Sequence, residues 1–568
     1  MYLAPEHLVE KRYEKYKANI RPYDFFEQID TLDFENLGVG DRIYLQDYGI
    51  FNSEIEEESF MLRVRVPGGR IRGEHFVRIA EIAESEDLSV VLTARSGLQL
   101  HGLEAENVLA VFREINAMEG LSTWQTFGDN VRNVVTDPYD GRGQSCEIEA
   151  FPIIEALQAH FLKNPELVGM LPRRISIGIT GMRENSWPLF SNDLFLGLAE
   201  REGVKGFNVY MGGKNTEISQ DADIFIPESE AADFAMAVVM AFDRYGLREK
   251  RMKSRLYHMI EHYGMAQVKA FIAEFYQKPW EGAGRSLLEK RHFGDWESLA
   301  DGSWGYRHHT DYGLILPHEM AELGAFVQNS GAELRIGIDQ QLYLLGLAEK
   351  EVPFSERDTS PTVVACAGSD YCPFSYWSIK KEAHYLPVEK LVEHDIKVGF
   401  SGCMKGCGRH KHTDIGIVGL RNAKFGRNDQ SARIFLGYES AQSKKTGEVV
   451  FRTVPAEELN TVVSLLIEVY EESGIAGFER FTHEVLNRFD EAFLEFFFLA
   501  RRATGRKIPL DPKEEPRTLA ESFGGEDFVE TALKEGWKKG SDAIIARLWH
   551  AETIREVAHM DPSKRRSR

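Results

Sequence analysis

Four of the chain's five cysteines fall into two tight pairs, Cys366-x5-Cys372 and Cys403-x3-Cys407. The second pair sits inside Ser401-Gly402-Cys403-Met404-Lys405-Gly406-Cys407-Gly408. Thiols crowded into so short a stretch suit a metal centre, because a cuboidal iron–sulfur cluster needs four thiolates converging from one side. Structural zinc is the rival reading. It favours Cys-x2-4-Cys knuckles, and the five residues between Cys366 and Cys372 fit that poorly. Packed or disulfide-bonded cysteines are the third reading. Cys146 stands apart in Gln144-Ser145-Cys146-Glu147 and reads as a plain packed or surface thiol.

Arginines carry the other chemical signal, and their spacing indicates the elements that hold them. Phe60-Met61-Leu62-Arg63-Val64-Arg65-Val66-Pro67-Gly68-Gly69 reads as a strand entering a glycine turn. Alternation puts Leu62, Val64 and Val66 on one face and Arg63 with Arg65 on the other. Taken alone, that piece reads rather as a half-exposed strand with a solvated basic face. A helix follows, with Phe76, Ile79, Ile82 and Ala83 on its apolar side. Val90 to His101 then reads as a second strand whose odd-numbered face carries Thr93, Arg95, Gln99 and His101.

The same helix–strand unit returns 244 residues later. Met320, Leu323, Phe326 and Val327 repeat the helix, Leu334 to Leu344 repeat the strand, and Gly102-Leu103 recurs as Gly346-Leu347. Duplicated α+β halves imply pseudo-two-fold packing with a large ligand at or near the junction. Chance similarity of two helix–strand segments is the alternative. Between the copies, Gly128-Asp129-Asn130-Val131-Arg132-Asn133 ends a loop. Leu171 to Thr180 reads as a strand with Arg174 and Ser176 on its even face. Gly212-Gly213 makes a turn whose N–H groups could approach an anion, although such a turn is usually only tight backbone.

At 568 residues the chain is too long for one core, and three or four domains are expected. No apolar run approaches the roughly 18–20 residues of a membrane span. The start, Met1-Tyr2-Leu3-Ala4-Pro5-Glu6, has no basic stretch leading into an apolar core, so no secretory signal is read and a reducing cytoplasm is expected. The formal charge of -21 argues against general nucleic-acid binding and makes local arginine clusters informative.

Taken together, these stretches resemble the sirohaem-containing nitrite and sulfite reductases. The matching pieces are Leu62 to Gly69, Leu92-Thr93-Ala94-Arg95 with Gln99 and His101, Arg132-Asn133-Val134, Leu171-Pro172-Arg173, and Gly206-Phe207-Asn208 with Gly212-Gly213. The four paired cysteines and Asp414 to Gly419 complete the set, in family order from about residue 45 to about 440. The resemblance implies an α+β fold, a three-domain sirohaem reductase architecture with duplicated ferredoxin-like half-domains at 45–110 and 300–350. It further implies a middle sirohaem-binding domain at 120–290 and a [4Fe-4S]/sirohaem domain at 355–470, and beyond the resemblance the residue pattern adds a helical C-terminal extension at 480–568.

The resemblance also assigns roles. Cys366, Cys372, Cys403 and Cys407 would bind a [4Fe-4S] cluster, and Cys407 would share its sulfur with the sirohaem iron. Arg63, Arg132 and Arg174, with Ser176, would face the anion. Arg95, Gln99 and Arg173 would lie nearer the macrocycle's carboxylates. Arg65 would serve either group or pair with a nearby acid. Arginine suits both tasks, since it grips carboxylates with two parallel donors and stays charged when desolvated. The implied reaction is six-electron reduction of a small oxyanion, with nitrite to ammonia slightly preferred over sulfite to sulfide. No flavin or nicotinamide domain is apparent, so a ferredoxin or flavoprotein would bring the electrons in a salt-sensitive encounter.

Departures from the family pattern bear on substrate and cofactor. Arg174 stands where Lys is usual, and Ser176 where sulfite-preferring members carry Lys and nitrite-preferring ones Asn. A neutral side chain offers no formal charge to sulfite, which leans the reading toward nitrite. Met404-Lys405 stands where Pro-Asn is common, which spares the ligands but bears on their loop and potential. Phe51 stands where Tyr is frequent, so no redox-active phenol is expected. The rivals are an assimilatory sulfite reductase, a precorrin-3B synthase-like monooxygenase on the same architecture, a non-catalytic iron–sulfur redox protein and a zinc-stabilised binding protein. From Phe489 onward, and again from Phe528 to His559, the chain reads as helical, a packing or dimerisation appendage with donor docking as the alternative. Lys564-Arg565-Arg566-Ser567-Arg568 reads as a disordered basic tail, and oligomeric state stays open.

Overall fold

The computed structural model describes residues 12–52, 59–355, 357, 359–422, 429–441, 444–526 and 548. The chain divides into two compact units, one ending at Pro373 and the other beginning at Phe374, a division that falls inside the expected 355–470 region.

In the first unit, strand β1 (Phe60–Val64), helix α1 (Gly73–Ser85) and strands β2 (Ser89–Leu92) and β3 (Leu98–Leu103) form one half-domain. Leu62 and Val64 of β1 and Phe76, Ile79 and Ala83 of α1 are buried against one another. Each such large apolar side chain contributes about 1.5–3 kcal/mol by leaving water. Antiparallel pairing of β1 with β3 sets Arg63 directly opposite Gln99. Val90 to His101 is therefore a hairpin and not the single strand expected. Thr93 Oγ1 accepts the N–H groups of Arg95 and Gly97 at 3.3 and 3.2 Å, and Ser96 takes a left-handed φ of 52°. A side-chain cap thus makes the turn where no Asn-Gly or Asp-Gly pair announces one.

The middle region follows, with strands β4 (Ile177–Thr180), β5 (Leu194–Arg201), β6 (Val204–Met211) and β7 (Gln220–Pro227) backed by helix α2 (Ala231–Tyr245). β5, β6 and β7 form an antiparallel meander, and β4 lies parallel to β5. The expected strand over 171–180 begins only at Ile177, so Arg173, Arg174 and Ser176 sit on the approach to β4.

The second half-domain comprises β8 (Trp304–His308), α3 (Pro317–Ser330), β9 (Glu333–Ile336) and β10 (Leu342–Leu347). Its hairpin repeats the first in register: Ser89 faces His101 and Glu333 faces Leu345, a constant offset of 244. Here too the single strand expected over 334–344 is a hairpin, turned at Gln340 with φ 68°. The halves also exchange strands. Leu314–Ile315 pairs with β2, while Arg70–Ile71 pairs with β9. Helices α1 and α3 pack closely where Gly73 meets Gly324. A methyl group on Gly324 would stand 2.8 Å from the Gly73 carbonyl oxygen and 2.7 Å from Val77 Cγ2.

In the second unit, β11 (Val398–Ser401) runs parallel to β12 (Ile415–Asn422), and β13 (Asp429–Leu436) and β14 (Glu448–Pro455) extend the sheet antiparallel. Helices α4 (Leu459–Ser473) and α5 (Glu491–Thr504) belong to this unit. Phe493, Phe496, Phe497 and Phe498 of α5 are all buried, which makes the phenylalanine-rich run core rather than docking surface. Apart from Leu548, the helix expected over 528–559 and the basic tail lie outside the described residues.

Candidate anion and cofactor site

The hairpin turn, the loop before Arg132 and the approach to β4 bring the expected arginines together within the first unit. Arg63 reaches across from β1 to Gln99, whose amide oxygen accepts from Arg63 Nη2 at 2.6 Å and Nε at 3.1 Å while its nitrogen donates to His101 Nε2 at 3.0 Å. Phe127 lies between two cations, 4.9 Å from the Arg63 guanidinium carbon and 5.4 Å from that of Arg132. Asn133 donates to the carbonyls of Val66 and Arg95 at 2.6 and 2.9 Å, pinning the Arg95 turn onto the strand exit. Phe51 stacks obliquely on Phe127 at 5.3 Å.

Arg132 is the centre of this cluster. It is 5 % exposed, and its Nη2 donates to the Gly128 carbonyl at 2.9 Å. Its Nη1 is buried with no hydrogen-bond partner among the described residues. Burial first, and then the charges of Arg174, Arg63, Arg95 and Arg173, hold its pKa well below the ordinary arginine value. A buried donor without an acceptor and a cation crowded by four others is what a bound anion or a fringe of carboxylates would relieve. The residues present therefore fit an anionic substrate and a carboxylate-rich macrocycle.

Acidic side chains behind the cluster hold it in place. Asp129 takes Lys17 at 2.9 Å and both Nη atoms of Arg251 at 2.8 and 2.9 Å, with Arg173 Nη1 further off at 3.5 Å. Burial opposes its charge, but Lys17, Arg251 and Arg173 outweigh burial and hold its carboxyl well below the usual range. Arg173 is thus tethered in part to Asp129, and burial followed by the Arg251 charge lowers its pKa. Asp47 lies below the same loop and accepts from Asn130 Nδ2 at 2.6 Å. Burial first, and the Asp129 charge second, push Asp47 up to about 7.

Two expected residues take other places. Arg65 is 1 % exposed and donates to the backbone carbonyls of Gln125, Val131 and Arg132. It braces the loop that carries Arg132 and neither points at an acid nor opens toward a ligand; burial lowers its pKa to about 10. Ser176 is fully buried, and its hydroxyl donates to Asp193 Oδ2 at 2.7 Å. Asp193 is also gripped by Arg255 through Nε at 2.9 Å and Nη2 at 2.7 Å. Ser176 is accordingly a positioning residue whose hydroxyl is already committed. At the Gly212-Gly213 turn, a side chain on Gly213 would stand 2.2 Å from the Asn192 carbonyl oxygen, so close backbone packing explains that glycine.

Asp129, Asp193, Arg251 and Arg255 escaped the sequence reading. Arg251 lies 122 residues from Asp129 and Arg255 lies 62 residues from Asp193, too far for any local spacing to signal the pairing. Only the position of Asp129 next to the Arg132 loop motif hinted at a role.

All five cysteines are free thiols. The first unit carries the half-buried Cys366 and Cys372, and the second carries the half-buried Cys403 and the exposed Cys407. Thiols are ligands for soft metals, but among the described residues no three His, Cys, Asp or Glu side chains are gathered closely enough to hold a metal ion. Cys146 packs away, accepting from the Gly141 N–H at 3.2 Å and facing the Ile148 carbonyl at 3.3 Å; burial pushes its thiol up to about 11.

Comparison with known proteins agrees with this geometry. Residues 54–118 match the nitrite/sulfite reductase ferredoxin-like half domain, and residues 127–279 match the nitrite and sulphite reductase 4Fe-4S domain. The second match contains Arg132, Arg173, Arg174 and Ser176, while the paired cysteines lie beyond it. A ferredoxin–nitrite reductase of Synechococcus elongatus is 28% identical over 485 residues, covering 80% of this chain and 94% of that protein. An assimilatory ferredoxin-dependent nitrite reductase of Haloferax mediterranei is 24% identical, covering 76% of this chain and 82% of that protein. The haemoprotein β-component of a Bacillus pumilus sulfite reductase is 26% identical, covering 67% of this chain and 78% of that protein. The solved structure of the Mycobacterium tuberculosis NirA protein has the same fold, with a TM-score of 0.76 at 21% identity, covering 84% of this chain and 96% of that one. The duplicated ferredoxin-like halves match the family's architecture, and the names of the relatives make the chain an oxidoreductase. The two domain matches and the relatives support the nitrite and sulfite reductase family, which implies a [4Fe-4S] cluster coupled to sirohaem.

Proposed function

We propose that this chain catalyses the six-electron reduction of nitrite to ammonia in preference to sulfite to sulfide, with single electrons delivered by a ferredoxin in the cytoplasm. The observation that carries the anion reading is Arg132, buried with an unanswered donor among four other cations. Sirohaem, when bound, supplies an iron that holds the substrate's nitrogen or sulfur, and the cluster feeds it electrons. Cys366, Cys372, Cys403 and Cys407 would hold the cluster, with Cys407 shared, while Arg95, Gln99 and the freer donors of Arg173 would meet the macrocycle's carboxylates. Arg63, Arg132 and Arg174 would bind the substrate oxygens, and their charge favours the electron-rich state as oxygen departs. Arg65 and Asn133 keep those donors from relaxing away from the anion, which preserves preorganisation. The neutrality of Ser176, whose hydroxyl is taken by Asp193, supports nitrite over the more highly charged sulfite. The names of the ferredoxin-dependent relatives support a ferredoxin donor.

The test is anaerobic purification, an absorption spectrum, and oxidation of reduced viologen by nitrite and by sulfite in separate assays. Sirohaem bands with faster nitrite turnover support the proposal. Faster sulfite turnover would overturn the substrate preference. A cluster spectrum without sirohaem bands would leave the monooxygenase or redox-protein reading in its place.

A further inference from the structure

Within the first unit, the helix Arg12–Asn19 buries two charged side chains one turn apart, Glu14 and Lys17, behind the arginine cluster. The Lys17 ammonium has three protons and uses each of them. It donates to Glu14 Oε1 at 2.9 Å, to Asp129 Oδ2 at 2.9 Å and to the Leu171 carbonyl at 2.8 Å. Asp129 precedes Arg132 by three residues, and Leu171 precedes Arg173 by two. One buried ammonium thus touches both segments that carry these arginines. The same helix sets the Tyr13 ring centroid 3.5 Å from the guanidinium carbon of Arg251, the other close partner of Asp129.

Asp129 Oδ2 accepts from Lys17 and Arg251, and its Oδ1 accepts from Arg251, so Arg173 Nη1 stays at 3.5 Å, the long edge of a hydrogen bond. Resting on the anion reading above, we infer that Lys17 is a positioning residue: by saturating Asp129 it leaves Arg173 to the arginine cluster as a donor to an anionic ligand. Without Lys17 the buried Asp129 carboxylate would lose one of its cations, and a desolvated charge short of partners draws in a neighbour that can move. That neighbour is Arg173, which would close on Asp129 and withdraw its donor from the cluster. Lys17 touches neither substrate nor cofactor in this role. The ligand is an oxyanion gripped by a guanidinium, whether nitrite or a carboxylate of the macrocycle.

The experiment is a double-substitution cycle on the purified holoprotein, combining Lys17→Met with Arg173→Ala. The rate at which sirohaem is lost on dilution, followed by absorption, reports on the macrocycle's carboxylates. The nitrite Kd from isothermal titration calorimetry reports on the substrate. In at least one arm Lys17→Met is expected to raise the value about tenfold, the effect of one charged hydrogen bond, and to add nothing once Arg173 is replaced. A change in the first arm would assign Arg173 to the macrocycle, and a change in the second would assign it to the substrate. Lys17→Gln, which keeps a donor for the Leu171 carbonyl, replaces Lys17→Met should that variant fail to fold. Parental values in both arms would overturn the inference. So would an effect that adds in full to that of Arg173→Ala, since a merely structural tie acts independently of Arg173. A parent that neither holds sirohaem nor binds nitrite would instead overturn the functional reading on which the inference rests.

Discussion

Arg132 is held by one backbone contact and opposed by four like charges, so its removal should cost function more than stability. Arg132→Ala is expected to lower nitrite-dependent turnover by about 10²–10³-fold, the range found when a preorganised donor to developing charge is removed, with circular dichroism unchanged. Parental turnover in that variant would place the anion elsewhere. At Ser176, substitution by Ala keeps the position neutral, so the ratio of nitrite to sulfite turnover should hold while stability falls by about 1 kcal/mol for the bond lost to Asp193. Ser176→Lys should move the ratio toward sulfite; an unmoved ratio would detach this position from specificity. Asp47 yields a pH prediction. Its folded pKa is raised to about 7, so from about pH 4 to 7 the folded chain keeps a proton that the unfolded chain has lost. Stability therefore falls as pH rises through that window. In Asp47→Asn that fall is absent, and melting temperatures of variant and parent should diverge in the variant's favour from pH 4 to 7. A constant difference would mean that Asp47 ionises normally in the fold. The arginines were legible because their motifs are local, whereas the acids that seat them were not, because each partner lies on another element.

Repetition of apolar spacing over 244 residues was enough to identify both half-domains, since helix and strand periods survive in the side-chain pattern alone. What the pattern concealed were the turns within Val90–His101 and Leu334–Leu344. Thr93 and Ser96 make the first by capping and by a left-handed φ that neither residue type advertises. Strand exchange between the halves was equally hidden, because two-residue strands such as Arg70–Ile71 carry no periodicity. The contact of α1 with α3 gives this level its own test. Gly324→Ala should destabilise the chain by about 1–3 kcal/mol in denaturant unfolding, since the added methyl meets a backbone carbonyl that cannot move aside. A neutral outcome would mean that the helices are separated more widely than described.

Across the whole chain, no helix among the described residues is long and apolar enough to cross a membrane. The paired thiols are divided two and two between the units, and Cys146, in the first unit, is set apart by its packing against the Gly141 N–H and the Ile148 carbonyl. Serine at Cys366, Cys372, Cys403 or Cys407 should reduce bound iron and the cluster's EPR signal to near background, while Cys146→Ser should leave both at parental levels. Full iron content in any of the four single variants would remove that residue from the ligand set. The pairing of thiols, the order of arginine motifs, the duplication and the expected chemistry were written in the chain, because each rests on residue type and short-range spacing. Tertiary packing decided which cations meet other side chains and which brace the backbone. Arg63 and Arg65 sit two apart on one strand, yet Arg63 reaches Gln99 while Arg65 is buried on carbonyls of the 125–132 loop. Strand alternation assigns a face, and only the loop folded over that face determines whether a charge meets backbone or remains available to an anion.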